Sequence, residues 1–218
     1  MTDSNTLLQE KLQAVEAADS AQAMLDAVEA LSDLEDEGAM DTLIRVLGYN
    51  NPGAAVAAVD GLIKLGTPAA SAVLNQIDGY NYGARAWALR VLAGIGDPRG
   101  LDLILETAAT DFSLSVRRAA ARGLGTIQWE KLETAERKNA QEQARDTLLK
   151  VVEEDPEWVV RYACVVGLQG VATAAIANEF TGILAPIAEG LQARTAQDDT
   201  PAVQARAQWA LDQLPTTD

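Results

Sequence analysis

The chain has 218 residues, 48% of them hydrophobic, and 17 Lys and Arg face 32 Asp and Glu, for a formal charge of −15. That charge, with a pI near 4.3, opposes phosphate backbones and anionic bilayers and so argues against nucleic-acid or membrane partners. There is no histidine and one cysteine, Cys164, which excludes an internal disulfide, a histidine-based triad or general base, and the usual metal sites.

The opening segment, MTDSNTLLQEKLQAVEAAD, is acidic and polar, lacks the basic and apolar regions of a secretory signal, and predicts a helix over about 4–18. No run of 18 purely apolar residues follows, so no membrane span is expected. A single cysteine fits a reducing, cytoplasmic setting.

From residue 20 onward one helical register recurs, with small or apolar residues at i, +3, +4, +7, +8 and +11. It reads Ala23, Asp26, Ala27, Ala30, Leu31, Leu34, then Ala54, Ala57, Ala58, Gly61, Leu62, Leu65. The next copies are Ala84, Trp87, Ala88, Val91, Leu92, Ile95 and Val116, Ala119, Ala120, Gly123, Leu124, Ile127. Two more follow: Val160, Ala163, Cys164, Gly167, Leu168, Val171 and Val203, Arg206, Ala207, Ala210, Leu211, Leu214. The two end copies carry a charge at +3, as terminal repeats of a stack do. Between these helices lie second helical patterns at 39–47, 69–77, 99–109, 141–152 and 180–191.

Punctuation agrees. Asn51-Pro52, Thr67-Pro68, Asp97-Pro98, Asp155-Pro156 and Thr200-Pro201 each read as an N-cap followed by proline at the first helical position. Gly66 and Gly96 sit where a helix ends in a left-handed residue. The expected fold is all-α: a HEAT-like α-solenoid of about six helical hairpins forming one domain over 1–218. The repeats fall around 5–35, 39–66, 69–96, 99–127, 141–172 and 180–214, with an insertion at 128–140.

Residues outside the register are the functional candidates. Arg85, Arg117 and Arg161 share one position, just after the first core residue of their helices. Asp111 and Asp155 precede the last two by six residues, so a stacked Asp/Arg ladder is one reading and a clamp for an anionic ligand the other. The triplet Gly-Tyr-Asn occurs at 48–50 and again at 79–81, and only the second copy is dressed with Tyr80, Tyr82, Arg85, Trp87, Arg90, Asp97 and Arg99. Such a patch suits a flat, conjugated, acid-bearing molecule. Trp129 and Trp158 line the patch or anchor a partner. Cys164 replaces the alanine of the other copies and reads as a buried structural thiol.

These residues carry a resemblance. GYNNPGAAVAAVDGL, GYNYGARAWALRVLAGIGDPRGLDL, DFSLSVRRAAARGLGTIQW and DPEWVVRYACVVGL resemble the phycobilin lyases of the E/F type, on the F-subunit side, from about residue 20 to 175. The resemblance implies an enzyme that pairs with a homologous E-type subunit. Such a pair attaches phycocyanobilin to a cysteine of the phycocyanin α subunit through a thioether, and it can remove or transfer the chromophore. The bilin is substrate, with no cofactor and no metal. With a bilin as substrate, the residues left outside the core register place Tyr80, Tyr82, Arg85, Trp87, Arg90, Arg117, Trp158 and Arg161 at the bilin, and Asp97 or Asp111 as a carboxylate for its pyrrole nitrogens. A related lyase isomerises its bilin through an Asn-His-Cys motif; without histidine this chain is expected to attach without isomerising. The competing readings are a lyase for another phycobiliprotein, such as phycoerythrin, and a non-catalytic repeat scaffold that binds phycobiliproteins in assembly or degradation.

Overall fold

The computed structural model describes residues 2–76 and 82–215, and every regular element among them is helical. Contacts along the chain divide it into two units, one running to Ile95 and one starting at Gly96. In the first unit α1 (Thr2–Ala17) pairs with α2 (Ala21–Ser32), α3 (Met40–Val46) with α4 (Pro52–Leu65), and α5 (Thr67–Gln76) with α6 (Tyr82–Ile95). The second members, α2, α4 and α6, pack side by side.

The second unit repeats the scheme. Here α7 (Leu101–Thr110) pairs with α8 (Leu114–Leu124), α9 (Thr134–Glu154) with α10 (Trp158–Ala177), and α11 (Leu184–Gln197) with α12 (Pro201–Leu211). The row α8–α10–α12 lies against the row α7–α9–α11.

The register explains why these helices bury the faces they do. Val116, Ala119, Ala120, Gly123, Leu124 and Ile127 are all buried, as are Val160, Ala163, Cys164, Gly167, Leu168 and Val171. In the end copies the charged +3 residues leave the stripe: Asp26 is exposed and Arg206 half-buried. Small residues in the stripe let helices approach closely. A Cβ on Gly167 would collide with the Ala121 carbonyl, and one on Gly125 would sit 2.8 Å from the Gly167 carbonyl oxygen.

The caps follow the sequence in part: Thr67 is itself the first residue of α5, and Asp97-Pro98 opens a 3₁₀ turn ahead of α7. Asn51 accepts from the Ala54 N–H, and Pro52 opens α4. Gly66 and Gly96 take φ of 69° and 67° at helix ends, the left-handed region that favours glycine. Asp155-Pro156, however, does not start α10, whose first residue is Trp158. The Asp155 carboxylate is bound instead to the Glu157 N–H and to Arg117, which holds those residues in a turn ahead of the helix.

The insertion also differs from expectation. A short 3₁₀ turn, Trp129–Lys131, is followed by α9 beginning at Thr134, so helix reclaims its second half. Trp129 is 1% exposed: its ring is part of the core and lines no surface patch. Helix α10 is long and apolar enough to cross a membrane by composition alone. It packs against α8, α9, α11 and α12, carries a buried arginine, and is the central helix of its unit.

Two glycine substitutions separate close approach from propensity. Gly167→Ala is expected to lower unfolding stability by about 1–3 kcal/mol, because backbone must shift. Gly53→Ala, in the first turn of α4 with neighbours no nearer than 3.5 Å, is expected to be neutral or stabilising by up to about 1 kcal/mol. Urea unfolding of both variants measures the contrast.

Candidate functional site

In the second unit the arginines of the shared position form a ladder. Arg117 donates from Nε to Asp155 Oδ2 at 2.6 Å and from Nη2 to Oδ1 at 3.1 Å. Its Nη1 donates to the carbonyls of Asp111 and Phe112, six and five residues back, at 2.9 and 3.1 Å. One repeat later Arg161 does the same with Asp198, at 2.9 and 3.0 Å, and with the carbonyls of Asp155 and Pro156, at 3.1 and 3.2 Å. Each aspartate also caps its own turn: Asp155 Oδ1 accepts from Glu157 N–H and Asp198 Oδ1 from Thr200 N–H, both at 2.9 Å. The last rung is Gln204, whose amide donates to the Asp198 carbonyl.

These pairs are bidentate and largely desolvated, with the Arg161 side chain 9% and the Asp198 side chain 0% exposed. Burial alone would push the Asp198 carboxyl up. Hydrogen bonds from Arg161 and the Thr200 N–H, with the Arg161 charge, outweigh it and hold Asp198 below the usual carboxylate range. Bonding to Asp155 and Asp198 raises the Arg117 and Arg161 guanidiniums in turn. Arg117 and Arg161 are thus occupied by the protein's own carboxylates and carbonyls, so the ladder reading describes them and they are not offered to a ligand.

The candidates of the first unit sit differently. On α6 the Arg90 guanidinium lies over the Trp87 ring, 4.2 Å from its centroid, with Arg90 exposed and Trp87 half-buried. Arg85, one turn before, is half-buried. Tyr80 lies outside the described residues; Tyr82 opens α6, and its side chain lies outside them too. Tyr49, of the first Gly-Tyr-Asn copy, is 42% exposed.

The two candidate carboxylates part company in the second unit. Asp97 receives Arg99 on both oxygens, at 2.8 and 2.7 Å, and the Arg99 N–H at 3.0 Å. The Arg99 hydrogen bond keeps Asp97 below the usual range. Asp111 caps Ser113 N–H at 2.8 Å and lines an open cleft of about 320 Å³ with Arg117, Lys150, Glu154 and Asp155. Lys150 went unnoticed in the sequence because nothing in the spacing of a charged amphipathic helix marks one surface lysine. Trp158 is 46% exposed on α10. Cys164 is fully buried, and burial drives its thiol far above the ordinary range.

Residues 72–169 match the family model described as HEAT repeats. A "Phycobilisome maturation protein" of Synechococcus elongatus is 54% identical over 92% of this chain and 95% of its own length. A "Phycocyanin alpha phycocyanobilin lyase CpcF" of Synechocystis is 49% identical over 93% of this chain and 92% of its own. A chain from the solved complex of CpcE and CpcF of phycocyanin lyase from Nostoc superposes with a TM-score of 0.74 at 47% identity, covering 80% of this chain and 99% of that one.

The ladder has a pH signature. A depressed native pKa means that the Asp198 contribution is complete above the unfolded carboxylate value of about 3.9 and is lost as pH falls through the native value. Asp198→Asn is therefore expected to cost about 3–5 kcal/mol at neutral pH by leaving Arg161 buried without its carboxylate, with the deficit shrinking below about pH 4. Denaturant melts across pH check both. The thiol has a signature too: Cys164 should resist a thiol reagent in the native protein and react with one equivalent after guanidinium unfolding.

Proposed function

The chain belongs to the phycocyanobilin lyase family of CpcF-type subunits, and from that membership we propose that it is the F-type half of a two-subunit bilin lyase. With an E-type partner it attaches phycocyanobilin to a cysteine of the phycocyanin α subunit through a thioether, and it removes or transfers the chromophore by the same route. The observation that carries this reading is a match to CpcF-type proteins over nearly the whole of both chains, joined to a shared fold with the solved lyase complex.

The residues fit the division of labour. The nucleophilic thiol belongs to the acceptor; this chain's own thiol is sealed in the helix stripe and is no nucleophile. The lyase supplies position: it holds an extended, flexible bilin in one conformation and presents its ethylidene carbon to one cysteine. Trp87 and Arg90 bring a half-buried ring and an exposed cation together on α6, groups suited to a pyrrole and a propionate. Asp111, which lines a cleft, and Asp97, whose oxygens hold Arg99, are the two candidate carboxylates for the bilin's pyrrole nitrogens. A chain with no histidine attaches the bilin without isomerising it. The unpaired thiol is in keeping with work in the cytoplasm.

The test is reconstitution of this chain, an E-type subunit, phycocyanobilin and apo phycocyanin α, omitting one component at a time. A covalently coloured, red-fluorescent acceptor that requires both subunits is the expected result. Well-folded subunits that leave the acceptor uncoloured, and leave bilin absorbance unchanged, would favour the scaffold reading. Within the active pair, Arg90→Ala is expected to weaken bilin binding by about ten-fold. Cys164→Ala, which restores the residue of the other repeats, should leave the rate of colouring unchanged.

A further inference from the structure

Charge is segregated within the second unit. Helices α8, α10 and α12 hold none of the chain's 32 acidic residues and five of its 17 basic ones. The ladder uses Arg117 and Arg161. The other three, Arg118 and Arg122 on α8 and Arg206 on α12, remain on the outward side, the first two exposed and one turn apart. By register Arg118 and Tyr162 hold equivalent places in successive repeats. Around them Trp158, Tyr162 and Trp209 stand 46%, 37% and 52% exposed.

Arg206 is the unusual member. Its guanidinium lies 4.5 Å from the Trp209 ring centroid, its Nη2 donates to the Gln169 side chain, and its Nη1 is buried with no hydrogen-bond partner. No carboxylate faces it among the described residues; the polar neighbour that acts on its charge is Tyr162, and burial lowers its pKa. With the exposed guanidiniums of Arg118 and Arg122, this cation makes the row electropositive in a chain otherwise rich in acid, which is complementary to an external carboxylate.

We propose that the outward face of α8, α10 and α12 is the docking surface for the acceptor phycobiliprotein, engaged through carboxylates on the acceptor. This rests on the lyase reading above. Trp, Tyr and Arg are the side chains that dominate protein interfaces. Three adjacent helices spaced 8–10 Å apart spread them over about 20 Å. An obligate subunit interface is large and apolar, whereas this face mixes single rings with solvated arginines, the composition of a partner that binds, is coloured and leaves. Complementary charge also speeds encounter, which suits turnover.

The experiment uses the heterodimer with the E-type subunit and colourless phycocyanin α as the probe. Charge reversal at Arg118→Glu with Arg122→Glu, and separately at Arg206→Glu, should raise the acceptor Kd at least ten-fold, flatten its salt dependence, and raise KM for the acceptor with kcat retained. Bilin absorbance titrations and the elution volume of the heterodimer should not move. The exposed double variant on α8 keeps the test sound should Arg206→Glu disturb folding. Unchanged acceptor affinity overturns the proposal. So does loss of the E-type subunit, which would make this face the subunit interface, or loss of bilin uptake, which would make it a small-molecule site. A wild-type pair that colours no acceptor sinks the lyase reading itself, before any variant is made.

Discussion

A buried aspartate shared between two repeats is the constraint on which the second unit depends. Asp155 and Asp198 each hold the turn before their own helix and the arginine of the repeat before it. One side chain therefore fixes local backbone and repeat spacing together. The arrangement is self-consistent because each arginine also returns to the carbonyls of its own turn. Both ends of the pair are satisfied, which is the condition under which buried ions are tolerated. The small residues of the stripe then set how close the helices come, and the ladder sets their registration.

Much of this was legible in the chain. Period, stripe and cap glycines all follow from local rules, and they located the helices of six hairpins. The misreadings have physical causes. Asp155-Pro156 looks like a helix start because an aspartate before proline is a good cap; its carboxylate is used by an arginine 38 positions earlier, which no local rule sees. Trp129 looks like a surface residue of an insertion because a hydrophobic ring in a polar stretch carries no periodicity to place it.

The arginines show the same limit. Arg117 and Arg161 bond the aspartate of the following repeat, whereas Arg90, at a different place in the register of its helix, lies over the half-buried Trp87 ring. Two side chains of the aromatic patch fall outside the described residues, so Trp87 and Arg90 carry the bilin argument in the first unit. The acid-free character of α8, α10 and α12 was present in the sequence but invisible until the helices were seen to form one row.

The last rung of the ladder has a consequence for assembly. Gln204 stands where an arginine would continue the pattern, and its amide still bonds the carbonyl six residues back. An arginine there would add a guanidinium fork for which, among the described residues, no aspartate stands in the place of Asp155 or Asp198, a donor open to the first turn of another molecule. Head-to-tail contacts of that kind do not close and lead to filaments. A neutral amide terminates the series: it keeps the turn and removes the valence through which one copy could be read as the next repeat of another.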